Sequence, residues 1–128
     1  MTHRFAVQVY YEDTDMGGIV YHANYLRYIE RARSAWVRQL GNDQNAMRNG
    51  GLVWVVRRIE AEYLSTARFE DALIVESTLR KVTPARLVME QVVKRDDVPI
   101  FTAMVTAVCM NEKGQPVRLP AEIRALMR

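Results

Sequence analysis

The sequence predicts an α+β fold in which one long helix lies against a curved antiparallel sheet of about five strands. Apolar residues recur at intervals of three and four between Asn24 and Leu40, and they alternate with polar residues through most of the chain beyond Gly51. The element order is therefore one strand, one long helix and four consecutive strands. Because a helix with an apolar stripe must bury it, we expect the sheet to wrap around the helix.

The N-terminal third contains the first strand and the helix. An alternating pattern predicts a strand that includes Phe5, Val7, Val9 and Tyr11. An acidic loop with two glycines follows over residues 12–18, where neither a helix nor a strand is favoured. The long helix is then predicted with Asn24 as its N-cap and Gly41 as its stop, followed by a short helical turn over 44–48.

The remaining chain alternates with a period of two, which is typical of half-buried strands. The predicted strands cover residues 52–64, 73–80, 87–94 and 100–110. The last of these is apolar on both faces, so we place it inside the sheet. Turns are predicted at 83–85, 96–97 and 111–114, and a short closing helix at 120–127 with Pro120 in its first position.

Length and composition indicate one folded domain covering residues 1–128. The chain is 49% hydrophobic and 26% charged, which is the usual balance of a globular protein. A chain of this size buries roughly 68% of its unfolded surface, which leaves little room for a large cleft. A binding site of any size is therefore expected to need a partner subunit.

Charge and cysteine content exclude several classes of protein. The net charge of +3, without a run of like charges, argues against a nucleic-acid binder but suits an anionic small ligand. Cys109 is the single cysteine, so an internal disulfide is impossible and a metal site is not expected. The N-terminus lacks the apolar core of a signal peptide, and no stretch is long enough to span a membrane. These features predict a cytoplasmic protein.

The loop before the helix contains the most chemically informative residues. The Gly17-Gly18 pair allows a tight reversal, which brings Asp15 towards the first turn of the helix near His22. Backbone N–H groups at a helix N-terminus stabilise negative charge, so a carboxylate beside them suits attack on a carbonyl. A thioester is well suited to such a site because its leaving group is a thiolate. A thiol has a pKa of about 8.5, so the thiolate leaves without strong acid assistance.

These residues also have simpler explanations. Acids such as Asp13 and Asp15 more commonly serve as turn residues that accept local backbone hydrogen bonds, and their spacing lacks the further ligands of a calcium loop. A role for His22 only in capping or packing the helix is the alternative to a catalytic one, and His3 is expected to be solvated.

The segment from Val9 to Tyr25, followed by Tyr-Ile-Glu-Arg-Ala-Arg at 28–33, resembles the signature of YbgC-type acyl-CoA thioesterases. These enzymes belong to the 4-hydroxybenzoyl-CoA thioesterase branch of the hotdog superfamily. The long Asp-x-x-Gly-Ile-Val-Tyr-x-x-Asn-Tyr run makes the match specific, and looser matches extend it over nearly the whole chain. The resemblance implies the hotdog fold, in which the helix is the sausage and the sheet the bun.

The resemblance also implies roles for individual residues. Asp15 is implied as the catalytic carboxylate, either nucleophile or general base, with the backbone N–H at His22 polarising the thioester carbonyl. The side chains of His22 and Tyr11 are implied as further catalytic groups, and substrate contacts are implied for Gly18, Ile19 and Val20. Around residues 83–86 many relatives have a turn with glycine and serine near the coenzyme. This chain departs from that pattern with Arg86, which either contacts a coenzyme phosphate or is a solvated hairpin charge.

Partners and competing functions follow from the same resemblance. It implies an acyl-CoA substrate and no cofactor beyond the coenzyme A of that substrate. A homodimer or homotetramer is implied, with active sites between subunits, as are an acyl carrier protein partner and a location peripheral to the bacterial inner membrane. The alternatives are a non-catalytic binder of acyl-CoA or acyl carrier protein, and a hotdog dehydratase in which Glu30 or Glu62 approaches His22.

Overall fold

The computed structural model describes residues 1–127, which form three helices and six strands. No helix in this part of the chain is long and apolar enough to cross a membrane. The elements in chain order are β1 (Thr2–Gln8), α1 (Asn24–Gln39), α2 (Gln44–Asn49), β2 (Val53–Tyr63), β3 (Ala72–Val82), β4 (Leu87–Arg95), β5 (Val98–Met110), β6 (Pro116–Val117) and α3 (Ala121–Arg124).

The strands form one antiparallel sheet in the order β1-β3-β4-β5-β2, with β6 paired to the end of β5. The predicted α+β hotdog fold is confirmed, and the two-residue β6 adds a sixth strand to the five expected. The turn between β4 and β5 is also as predicted. Asp96 and Asp97 both have positive φ angles, 52° and 68°, which match the twist of a two-residue hairpin.

Helix α1 packs across one face of this sheet through the stripe that its sequence predicts. Tyr28, Ile29, Ala32 and Trp36 are almost fully buried, and α1 contacts β1, β3 and β4. Two hydrophobic clusters result. The first surrounds the N-terminal half of α1, and the second joins Trp36 to β4 and α3. The two ends of α1 therefore lie in different parts of the core.

A buried amide fixes α1 to the sheet. The Gln91 Nε2 group donates to the Ile29 carbonyl at 2.8 Å and to Ser77 Oγ at 3.0 Å. Its Oε1 atom accepts from Arg33 at 2.9 Å. Since buried polar groups are costly unless bonded, this network favours one position of the helix over the strands.

The first strand and the helix start differ from the sequence predictions. β1 ends at Gln8, and Tyr11–Asp13 forms a 3₁₀ turn instead of continuing the strand. Asn24 is the first residue of α1, whereas Ala23 is the N-cap and makes no side-chain cap. Asp13 explains both differences. Its carboxylate accepts from the Tyr10 N–H at 2.8 Å, and this bond turns the chain after β1. The carboxylate also accepts from Asn24 Nδ2 at 2.9 Å, so the Asn24 side chain is engaged and does not cap the helix as expected.

The closing helix is shorter than predicted. It covers Ala121–Arg124, and Pro120 is its N-cap instead of its first residue. The extended backbone of Pro120, with ψ of 148°, explains this position. Ile123 still packs into the second hydrophobic cluster, so the helix closes the core as expected.

Candidate active site at the N-terminus of the long helix

The loop between β1 and α1 folds into a tight hairpin with Asp15 at its tip. Thr14 pairs with Val20, and the Asp15 N–H donates to the Ile19 carbonyl at 2.9 Å. The Gly18 N–H closes the turn on the Asp15 carbonyl at 3.0 Å. Gly18 has a φ of +78°, a conformation that side-chain-bearing residues adopt at a cost. The paired glycines therefore produce the reversal that the sequence predicts.

The Asp15 carboxylate is exposed and held by one hydrogen bond. Its Oδ1 accepts from the Gly17 N–H at 2.8 Å. A Cβ at position 17 would lie only 3.2 Å from Oδ1, so this close approach favours glycine. The Oδ2 atom has no hydrogen-bond partner among residues 1–127. Asp15 thus behaves partly as the turn acid of the simpler explanation, yet keeps one oxygen for a ligand.

The N-terminus of α1 offers free backbone donors. No acceptor within residues 1–127 bonds the N–H of His22 or of Ala23, and Ala23 provides no side-chain cap. The positive end of the helix dipole adds to these donors. His22 itself is exposed, with its ring 4.5 Å from the Tyr21 ring. The arrangement suits an acceptor that develops negative charge.

Tyr63 of β2 is a site residue for which the sequence predicts no role. Its hydroxyl donates to the His22 carbonyl at 2.9 Å, and its ring meets Phe101 edge-on at 4.9 Å. It is 49% exposed, so part of the ring faces outward beside His22. Tyr63 and His22 are 41 residues apart in the sequence, so only the register of the sheet brings them together.

Tyr11 flanks the same hairpin. It lies on the 3₁₀ turn, is 79% exposed and meets Phe69 edge-on at 6.1 Å. Tyr11, Asp15 and His22 therefore belong to one loop at the N-terminal end of α1, as expected. The exposed ring has room to reorient towards a ligand.

Of the three residues Gly18, Ile19 and Val20 in the hairpin, two lie near the surface and one is in the core. Ile19 is half-buried and pairs with Arg68. Val20 is 3% exposed, and its N–H donates to the Ala67 carbonyl at 2.8 Å. Gly18 and Ile19 thus lie near the surface, whereas the Val20 side chain is part of the core.

Arg86 lies far from this loop within a single chain. It lies in the turn before Leu87. The end of the sheet nearest His22 contains Tyr63, Phe101 and Val93, which are paired side by side on β2, β5 and β4. Val93 is six positions along β4 from Leu87, which is roughly 20 Å at 3.3 Å per residue. Arg86 is exposed, and one chain alone does not bring it to Asp15.

A cavity opens along α1 at the Arg86 end. Its lining includes Glu30, Arg33, Trp54, Val56, Leu87 and Met89. Burial lowers the pKa of the Arg33 guanidinium, although the nearby Glu30 carboxylate opposes this effect. The cavity was not predicted, because its walls come from α1, α2, β2, β4 and β5 and depend on how these elements pack.

The fold and the site define the class of this protein. One helix crosses an antiparallel sheet, and an exposed carboxylate lies on the hairpin before the free N–H groups of that helix. This is the arrangement of a hotdog-fold thioesterase.

Comparisons with known proteins give the family. The model of the thioesterase-like superfamily matches residues 9–127. Acyl-CoA thioesterase YbgC of Haemophilus influenzae is 38% identical over 123 residues, which cover 94% of this chain and 90% of that protein. Acyl-CoA thioester hydrolase YbgC of Escherichia coli is 37% identical, with 95% and 92% covered. A probable thioesterase from Bartonella henselae has a solved structure with a TM-score of 0.90 and 35% identity, covering 94% of this chain and 100% of that one. The chain belongs to the YbgC-type acyl-CoA thioesterases.

Proposed function

We propose that this thioesterase hydrolyses acyl-CoA with the Asp15 carboxylate as the reacting group and the N-terminus of α1 as the oxyanion site. One observation carries the proposal: the unbonded Oδ2 of Asp15 and the unbonded N–H of His22 occur on the same loop at one end of α1. A thioester carbonyl between them would meet a carboxylate on one side and a donor on the other.

Two routes fit this pair of groups. As a nucleophile, Asp15 adds to the carbonyl carbon, the C–S bond breaks with release of the coenzyme A thiolate, and water hydrolyses the resulting anhydride. As a general base, Asp15 takes a proton from a water molecule whose oxygen adds to the same carbon. In both routes the N–H of His22 bonds the carbonyl oxygen as it gains charge, and the thiolate leaves without strong acid assistance.

We infer that two copies of the chain complete each site. β2 forms one edge of the sheet and is exposed along most of its length. An unpaired strand edge is a template for pairing with another strand. The exposed apolar residues around the Asp15 hairpin provide further contact surface; they are Met16, Tyr21, Tyr63, Leu64 and Phe69.

The charges of β2 suggest the register of this pairing. If two copies of β2 pair antiparallel about Ile59, each Arg58 faces a partner Glu60, whereas pairing about Glu60 would bring two glutamates together. Pairing about Ile59 also brings the Val55 end of one β2 alongside the Tyr63 end of its partner. The cavity and Arg86 of one chain then approach the Asp15 hairpin of the other. The partner subunit would then supply Asp15 with an acyl pocket and a contact for a coenzyme phosphate. Within one chain, both of these lie far from Asp15.

The remaining partners belong to the same proposal. If Arg86 meets a coenzyme phosphate, it also suits the phosphopantetheine of an acyl carrier protein, so such a carrier is a candidate donor of substrate. A homotetramer, the cytoplasmic location and peripheral contact with the inner membrane are checked by sedimentation and cell fractionation.

The test is thiol release from short, medium, long and aromatic acyl-CoA substrates. We expect Asp15→Asn to lower kcat by about a hundredfold or more, as for loss of a general base or nucleophile. Glu12→Gln is the matched control because Glu12 is an exposed carboxylate on the same loop. It is expected to leave kcat within about twofold.

Wild-type turnover by Asp15→Asn across the panel would contradict the assignment of Asp15. Tight coenzyme A binding without thiol release from any substrate would instead favour a binding protein. Hydration of an enoyl thioester without thiol release would favour a dehydratase.

A further inference from the structure

A second aspartate near the site is buried and has no role in the proposed chemistry. Asp13 is 5% exposed, and both of its carboxylate oxygens accept hydrogen bonds. Oδ2 accepts from the Tyr10 N–H at 2.8 Å, and Oδ1 accepts from Asn24 Nδ2 at 2.9 Å. Its backbone carbonyl accepts from the Tyr21 N–H at 2.9 Å. Asp13 thus joins the segment that follows β1, the chain before His22 and the first residue of α1.

Within residues 1–127 no cation pairs with the buried carboxylate of Asp13. Its negative charge instead adds to burial in raising the pKa of the Tyr28 hydroxyl. A buried carboxylate with neutral partners is costly, and the helix N-terminus offsets only part of that cost. Its position therefore calls for an explanation beyond stability.

The geometry of the hairpin provides one. Asp13 and Tyr21 form the base of the hairpin whose tip is Asp15, and Tyr21 directly precedes His22. The side chain of Asp13 ties this base to Asn24 of α1. The spacing between the Asp15 carboxylate and the His22 N–H thus depends on a link that touches neither group.

We propose that Asp13 is a positioning residue that sets the Asp15 carboxylate relative to the oxyanion donor through its hydrogen bond with Asn24. This inference rests on the proposed function of Asp15. Misplacing a reacting group by about 1 Å lowers a rate by about a hundredfold, whereas binding of the distant parts of a substrate is little affected. Loss of the link should therefore reduce kcat more than it raises KM.

Asn24→Asp breaks the link by replacing the donor with a second carboxylate. We expect kcat to fall about tenfold to a hundredfold, with KM within about threefold of wild type. The double variant Asp13→Asn/Asn24→Asp reverses the polarity of the link. The amide introduced at position 13 accepts from Tyr10 and donates to the carboxylate introduced at position 24. This variant is expected to recover kcat to within about threefold of wild type.

Asn42→Asp is a matched control at the other end of α1. Asn42 is 1% exposed, and its Nδ2 donates to the Glu122 carboxylate at 2.8 Å, so the substitution creates the same conflict between buried carboxylates. We expect it to lower the thermal unfolding temperature while kcat of the folded enzyme is retained. Asn24→Ala, which removes the donor without adding charge, provides a second measurement if Asn24→Asp does not fold.

The proposal is overturned if the Asn24 variants keep wild-type kcat, if the double variant fails to recover, or if Asn42→Asp loses kcat equally. Asp15→Asn is measured in the same series. An inactive Asp15→Asn with fully active Asn24 variants would reject the positioning role alone, whereas an active Asp15→Asn would reject the proposed function itself.

Discussion

Asp13 and Asp15 are two residues apart, yet their carboxylates have opposite surroundings. Asp13 is buried with both oxygens bonded, whereas Asp15 is exposed with one oxygen unbonded. The chain changes direction between the two residues: Asp13 ends the 3₁₀ turn with its carboxylate directed at Tyr10 and Asn24, whereas Asp15 begins the tight turn of the hairpin. A carboxylate whose oxygens are all bonded holds structure, and one with a free oxygen is available for chemistry.

His3 predicts a pH dependence of stability. Its ring stacks on Trp36 at 5.7 Å, and its buried Nδ1 has no hydrogen-bond partner within residues 1–127. Burial lowers the pKa of this imidazole below its usual value of 6.5. The unfolded chain therefore takes up a proton more readily than the folded one, so stability falls as pH drops below about 6.5. Urea unfolding at about pH 7.5 and about pH 5 measures this fall.

His3→Phe is the control for this effect, because it keeps an aromatic ring against Trp36 but cannot take up a proton. We expect its free energy of unfolding to decrease less between the two pH values than that of wild type. Equal decreases in the two proteins would show that His3 does not contribute.

Helix α1 has ends with different functions. Its N-terminal end leaves backbone donors unbonded beside the reacting loop. Its C-terminal end is closed by Gly41, whose φ is +92° and whose N–H donates to the Arg38 carbonyl at 3.1 Å. The stripe of buried residues between them holds the helix in place, so the free end stays fixed relative to the sheet. The packed helix thus holds in place the uncapped N-terminus that we propose as the oxyanion site.

Helix α2, in contrast, has a capped N-terminus that provides a stability test away from the site. The Asp43 carboxylate accepts from the N–H of Asn45 at 2.9 Å and of Ala46 at 3.2 Å. Asp43→Ala is expected to lower the free energy of unfolding by about 1 kcal/mol and the unfolding temperature by about 4 °C. Calorimetry measures both, and kcat should not change because the Asp43 side chain lines neither the α1 cavity nor the Asp15 hairpin. Asp43→Asn keeps a capping oxygen and should retain stability, so an equal loss in both variants would contradict the capping role.

At the scale of the whole molecule, the sequence predicts features that depend on neighbouring residues better than features that depend on long-range contacts. The stripe of α1, the hairpin at Asp96 and the Gly17-Gly18 reversal each depend on neighbouring residues, so the sequence predicts them. The bond between Tyr63 and His22 depends on sheet register, and the Asp13 link with Asn24 depends on a side chain that competes with the expected cap. The distance of Arg86 from Asp15 likewise follows from how far β4 extends along the sheet.

The edge strand β2 provides the test of assembly. Pairing about Ile59 places this residue opposite its own copy, with Cα atoms about 5.5 Å apart or closer, within the range that a disulfide can bridge. Ile59→Cys is therefore expected to form a cross-linked dimer on mild oxidation, measured by non-reducing gel electrophoresis. Cys109 is fully buried, so wild type should remain uncross-linked. Glu62→Cys on the same strand lies six positions along the pairing from its own copy in this register, which is roughly 20 Å, and it is the matched control that should not cross-link.

Cross-linking of Glu62→Cys in place of Ile59→Cys would contradict the register, because it would centre the pairing three residues further along β2. An active monomer in sedimentation would contradict the shared site itself, since one chain keeps Arg86 and the α1 cavity away from the Asp15 hairpin. If Ile59→Cys cross-links and the oxidised dimer keeps its thioesterase activity, the paired edge is compatible with the working enzyme. Each Asp15 hairpin would then lie beside the cavity of the partner subunit. The partner would thus provide a second wall for a substrate site that a domain of this size is too small to enclose alone.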